Sequence, residues 1–207
     1  MNKKIILLIF TLTSLLYANA QSINDVIESM PFEIVPGLAD DDKDVMLVDT
    51  GLVSIPSPLG EIVKVRHSDT YLKMKTSEVG DTQIKILNKS DGDFVICVVR
   101  TVCGDVCDSN ISFYNEEWSE LVSNEFMEEV SVSTFLDVNG IKSSLSADIE
   151  LPLFLPVSAE FVDGSDNLNL IVDLESSLHK DSFDALSPYI IKSKLALLWD
   201  GKSFVAQ

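Results

Sequence analysis

Residues 94–99, Phe-Val-Ile-Cys-Val-Val, are six consecutive apolar positions with no polar face. A short, β-branched run of this kind reads as a central strand covered on both sides. Its neighbours read as strands too. Residues 61–66, 71–76, 83–87 and 111–114 are short, often β-branched and separated by turn signals. Leu72, Met74 and Thr76, and again Ile84 and Ile86, alternate with polar neighbours, the period of a half-buried strand. Asp91-Gly92, within the polar stretch 88–93, marks a hairpin between two apolar runs. These segments predict an antiparallel meander of four or five strands.

Short helices and further hairpins surround the meander. Residues 22–30 predict a helix with Ser22 as N-cap, Ile23, Val26 and Ile27 at helical spacing, and Pro31 as its stop. Pro36-Gly37 marks a turn. The acids Asp40, Asp41, Asp42 and Asp44 open a second helix near 41–49, where the helix dipole favours carboxylates. They lack the alternating ligands, central glycine and closing glutamate of a calcium loop. Residues 118–145 read as a connector, acidic over 119–129, with a short helix starting in 131–136 and broken by Asn139-Gly140. Residues 151–156 carry two prolines and predict an edge or an extended crossing. Residues 159–162 and 168–174 flank a second hairpin turn, and 181–187 predict a short capped helix. A last hairpin pairs 194–199 with 203–205 around Asp200-Gly201. The expected class is α+β: predominantly antiparallel β-sheet, as meanders and hairpins, with a few short helices. Residues 21–207 are expected to form a single secreted domain, divisible into two sheet-rich lobes, 21–118 and 131–207.

Residues 1–20 read as an address. Lys3 and Lys4 precede an apolar stretch over 5–16, and Ala18-Asn19-Ala20 supplies a small-x-small cleavage site, the secretory signal pattern. That stretch is too short to span a ~30 Å hydrocarbon core. Cleavage near Ala20-Gln21 is expected to export the chain to the periplasm or beyond the cell, with no transmembrane anchor in the mature chain. It would also shift the formal charge of −18 to −20 by removing two lysines. Such a balance argues against nucleic acid or an anionic membrane surface as partner. Its bland reading is a solvated surface; divalent cations or basic proteins are the sharper alternative.

An exported chain meets oxidising conditions, and three cysteines allow one disulfide. Cys103 and Cys107 bracket Gly104-Asp105-Val106 and are the candidate pair, with three free thiols as the alternative. Cys97 reads as a small buried hydrophobe. The C-x-x-x-C spacing does not suggest a redox centre. Catalytic constellations are missing. His67-Ser68-Asp69 are chain neighbours that do not converge on one point, and a triad is defined by geometry. His179 reads as an exposed loop residue. No G-x-S-x-G, H-E-x-x-H, paired C-x-x-C or phosphate-cradling glycine loop occurs, so no catalytic residue, cofactor or metal ligand is assigned. Among 33 acidic residues some carboxylate pair always looks suitable for glycoside hydrolysis, which deprives that observation of weight. Trp118 and Trp199, each where a strand meets a turn, are candidate surface aromatics for a partner. The competing reading packs both over the ends of sheets.

Met30-Pro31, Val48-Asp49, Thr70-Tyr71-Leu72, Arg100-Thr101-Val102, Asp108-Ser109 through Phe113-Tyr114, Trp118 and Trp199 through Phe204 together resemble a family of small secreted proteins from anaerobic Gram-negative bacteria. That family is known only as a domain of unknown function. The resemblance covers nearly the whole mature chain and implies an exported, periplasmic protein. It carries over no catalytic or binding residue. The leading expectation is a non-enzymatic envelope protein that binds or interacts with an unidentified protein or glycan. The alternative is a carboxylate-dependent hydrolase acting on glycans or cell-wall material.

Overall fold

A computed structural model describes residues 21–48, 53–144 and 151–207. The signal-peptide reading of residues 1–20 lies outside them, as does the end of the helix expected near 41–49. Helix α1 (Ile23–Glu28) starts where Ser22 Oγ accepts from the Asp25 amide at 3.3 Å, and it buries Ile23, Val26 and Ile27. Helix α2 (Asp40–Leu47) carries Asp40, Asp41 and Asp42 in its first turn and buries Met46. Lys43 points inward from it. Its Nζ donates to the carbonyls of Met30 at 2.6 Å and Glu28 at 3.3 Å, just past the end of α1, where a cation meets unsatisfied carbonyls.

The chain then winds into seven antiparallel strands laid down in sequence order: β1 (Ser54–Ser57), β2 (Gly60–Ser68), β3 (Tyr71–Lys75), β4 (Gly80–Asn88), β5 (Phe94–Cys103), β6 (Cys107–Tyr114) and β7 (Glu120–Leu121). The meander is longer than the four or five strands expected. The added strands are β1, which contains Pro56, and β7, which has two residues, so neither displays a readable period. After short helices α3 (Val132–Phe135) and α4 (Val138–Ser143) comes a four-stranded antiparallel sheet: β8 (Ser158–Phe161), β9 (Leu168–Ile171), β10 (Lys194–Trp199) and β11 (Phe204–Ala206). Helices α5 (Leu174–Ser177) and α6 (Lys180–Leu186) connect β9 to β10. Asn139-Gly140 does not break a helix as expected; it lies inside α4. Gly140 is accommodated there because Asp137 Oδ1 accepts from its amide at 2.9 Å, and a Cβ at that position would collide with the Asp137 carboxylate.

The long sheet is the middle layer. Ile84, Ile86, Ile96 and Val98 pack with Ile23, Ile27, Met30 and Met46 on the N-terminal side. Leu87, Val95, Cys97, Val99 and Phe113 pack on the opposite side with Phe161, Leu168, Leu170, Leu197 and Phe204 of the small sheet. The two sheets therefore share one core. Each fully buried Phe or Ile contributes roughly 1.5–3 kcal/mol. Aromatic rings run through the shared layer, with Phe113 stacked on Phe126 at 4.9 Å and Phe161 reaching Phe204 at 6.3 Å. No helix among the described residues is long and apolar enough to cross a membrane.

Candidate functional site

The polar chemistry of the chain is concentrated where the two sheets meet. Gln83 and Lys85 alternate with Ile84 and Ile86 on β4, and the half-buried reading places them in solvent. Both are buried, at 2% and 5% exposure, because the small sheet gives them partners. Gln83 Oε1 accepts from Tyr71 Oη at 2.9 Å and from the Phe161 amide at 3.1 Å, while its Nε2 donates to the Ala159 carbonyl at 3.0 Å. Burial, aided by the charge of Glu160, pushes the Tyr71 phenol well above its usual range, which keeps it a donor. Lys85 Nζ pairs with Asp166 at 2.8 Å and donates to Thr70 Oγ1 at 3.1 Å. Lys73 pairs with Glu160 at 2.6 Å. A bulge in β2 between Lys64 and Arg66 turns Arg66 to the small-sheet side opposite Lys73, where it pairs with Asp163. These pairs join three cations of the long sheet to three acids of the β8–β9 hairpin. Two of the pairs, Arg66–Asp163 and Lys85–Asp166, line a cavity of about 590 Å³ in which their charges compensate one another.

Other cations are drawn inward as well. Lys64 Nζ donates to the Val48 carbonyl, and Arg100 Nε to the Ile34 carbonyl at 3.2 Å. With Lys43, these residues fasten the N-terminal segment to the sheet. An already acidic chain thus spends much of its positive charge on internal contacts.

The residues singled out from sequence fall apart in space. Cys103 and Cys107 are joined by a disulfide across the β5–β6 turn, and Cys97 is buried, its thiol pushed far up by desolvation. Trp118 is not a surface aromatic. It is 7% exposed, because Asn115 Oδ1 accepts from the Glu117 and Ser119 amides and folds the turn back. At φ 60° the Trp118 ring lies 5.6 Å from Tyr114, and its Nε1 donates to Ser29 Oγ at 3.3 Å. Trp199 is half-buried, 5.2 Å from Phe204, with Nε1 donating to the Asn88 carbonyl at 2.7 Å. Both indoles pack at sheet ends. His67 Nε2 lies 2.8 Å from Asn24 Oδ1, tying β2 to α1, whereas its neighbour Ser68 follows on the strand and points to the other face. His179 is exposed at the start of α6.

What the sequence did not single out is the segment after β7. Residues 124–130 run beneath the outer edge of β11, and a groove opens on each side of them. One, of about 620 Å³, has Leu195, Leu197 and Phe204 in its floor and Glu125, Glu128 and Glu129 on its wall. The other, of about 430 Å³, is lined by Phe135, Leu155, Leu170 and Asp108. Met127, Glu129 and Val130 belong to both. Exposed Ile191 and Val205 flank the first groove, and exposed Leu153 and Phe154 the second. Glu125, Glu128 and Glu129 are exposed and form no ion pair among the described residues. The available signal was the charge pattern: no lysine or arginine occurs between Asn115 and Lys142.

Several aspartates are held below the usual carboxylate range by turn and cap hydrogen bonds. Asp25 is lowered by the Ser22 hydroxyl, Asp91 by the Asp93 amide, Asp173 by the Ser176 amide and Asp200 by the Ser203 amide. Such groups anchor local structure, the opposite of a carboxyl raised for acid catalysis. Among the described residues no three His, Cys, Asp or Glu side chains gather so as to hold a metal ion.

A family profile described as "Protein of unknown function (DUF3256)" matches residues 15–204, and the chain belongs to that family. The chain is also similar to a solved structure, that of a domain of an uncharacterized protein from Porphyromonas gingivalis W83. The TM-score is 0.73 at 23% identity, covering 89% of this chain and 97% of that one, a likeness of fold. No curated protein matches.

Proposed function

We propose that this member of the DUF3256 family is an exported, non-enzymatic binding module of the cell envelope, and that the seam around residues 124–134 is its contact surface. The observation that carries the reading is the seam itself: two grooves over the core, flanked by exposed Ile191, Val205, Leu153 and Phe154, with a wall of glutamates that pair with no cation among the described residues. Apolar surface left open beside polar rims is the signature of an interaction site. The hydrolase alternative has less behind it. It needs a carboxyl held above its usual range in a cleft, whereas the shifted aspartates go down and serve as caps. Export rests on the pattern of residues 1–20, and the bacterial envelope on the sequence resemblance.

A photo-reactive residue placed at Glu128 in the full chain, expressed with its own leader, tests the surface. It is expected to cross-link an envelope component, while the same residue at Glu61 on β2 captures none. Equal capture at both positions, or hydrolysis of cell-wall glycans by the purified mature protein, would overturn the proposal.

A further inference from the structure

We infer that the groove beside β11 takes an extended, lysine- or arginine-rich peptide segment of a partner, whose main chain hydrogen-bonds to the open edge of the small sheet. This rests on reading the seam as a binding surface and names what it binds.

The register of the last hairpin fixes which backbone groups face the groove. Gln207 N donates to the Ala196 carbonyl and Asp200 N to the Ser203 carbonyl, while Leu198 lies opposite Val205. Hydrogen-bonded and non-bonded pairs alternate along an antiparallel ladder. Val205 therefore bonds inward to β10, whereas Phe204 and Ala206 direct their N–H and C=O groups outward. The chain's own segment uses the first position: Phe204 N donates to the Phe126 carbonyl at 2.7 Å, and Met127 makes a parallel bridge with Phe204. Beyond that bridge the two segments part around the groove, and Ala206, the one remaining outward-facing residue of β11, has no backbone partner among the described residues.

An edge with unpaired groups is a template for an added strand. The chemistry of the added strand follows from the walls. Exposed Ile191 and Val205 offer apolar contact; Glu125, Glu128 and Glu129 offer negative charge beside them, with Lys192 the one cation of the groove lining. Alternating side chains of an extended peptide would send apolar groups to Ile191 and Val205 and basic groups to the glutamate wall. A second copy of this chain is disfavoured as occupant, because its formal charge of −18 would meet the same acidic wall.

The test is calorimetric titration of the mature protein with an acetylated, amidated Lys-Val-Lys-Val-Lys-Val-Lys peptide. A Glu-Val peptide of the same pattern is the control. The basic peptide is expected to bind at least about tenfold more tightly, and to weaken as salt rises from about 0.05 to about 0.5 M. The triple variant Glu125→Gln, Glu128→Gln, Glu129→Gln is expected to lose about tenfold in affinity. Ala206→Pro should weaken binding severalfold with an unchanged urea midpoint, because the removed N–H has no ladder partner. Indifference to peptide charge, full affinity in the triple variant, or a concentration-dependent dimer that the triple variant leaves intact would each overturn the inference. Failure of the peptide while cross-linking at Glu128 persists removes the basic-peptide chemistry and spares the surface. Loss of both removes the surface as well.

Discussion

The two edges of the small sheet are treated in opposite ways. Along β8 the edge is sealed by side chains of the long sheet. The Val157 amide donates to Asp108 Oδ1 at 2.9 Å, the Ala159 amide to Ser109 Oγ at 2.9 Å and the Phe161 amide to Gln83 Oε1 at 3.1 Å. Every second amide is met by a different acceptor, at the spacing of a strand whose outward groups recur every other residue. Along β11 the Phe204 amide is met by the Phe126 carbonyl, while Ala206, the other outward-facing residue of the strand, faces a groove and has no backbone partner among the described residues. A buried edge must be satisfied, since an orphaned amide costs about 1–3 kcal/mol. An open edge is tolerated only where water or a partner takes its place. The contrast identifies β8 as structure and β11 as surface.

Breaking the sealed edge should have the largest effect. Gln83→Leu removes three buried hydrogen bonds while keeping a similar volume, and leaves the Phe161 amide and Ala159 carbonyl without partners. The expected loss is about 2–4 kcal/mol of unfolding free energy, read as a lower urea midpoint. Ser109→Ala removes one acceptor from the same edge together with the 2.8 Å contact to Thr101 Oγ1, and should cost about 1–2 kcal/mol. Neither substitution is expected to alter peptide affinity at β11 once the variant is folded.

Acid should act on the small-sheet region through its turns rather than through either edge. Asp173 and Asp200 are held low by amides of α5 and of the β10–β11 turn. Groups whose native pKa lies below the unfolded value stabilise the fold above that unfolded value, near pH 4. They lose the contribution as pH falls through the native values. Thermal unfolding midpoints should therefore be level down to about pH 5 and decline below about pH 4. Asp173→Asn and Asp200→Asn together should flatten part of that decline. Both groups are exposed, so this is the smallest of the effects.

Much of the frame was legible because local chemistry and tertiary structure agree. The run 94–99 is apolar on both faces and became the strand with a core on either side. The turns at Asp91-Gly92, Asp163-Gly164 and Asp200-Gly201 were readable because their glycines supply the φ values of 94°, 65° and 89° that the hairpins need. Other features were hidden for physical reasons. Gln83 and Lys85 look like solvent-facing residues until the β8–β9 hairpin supplies their partners from residues 159–166. The β2 bulge that redirects Arg66 has no glycine or proline to announce it. The acidic stretch 119–129 was visible as charge, but its place beneath β11 depends on the Met127–Phe204 bridge, a contact across more than seventy residues. Trp118 allowed two readings because a surface turn and a buried ring share one sequence signal, and packing over a sheet end is the one the fold adopts.

Amide hydrogen exchange, resolved by residue over residues 21–207 without any added ligand, tests the contrast most directly. The Ala159 and Phe161 amides are predicted to be protected to the level of global unfolding, and the Ala206 amide to exchange close to the rate of an unstructured peptide. Protection of Ala206 equal to that of Phe161, or rapid exchange at Ala159 and Phe161, would contradict an account in which one edge is sealed and the other left open.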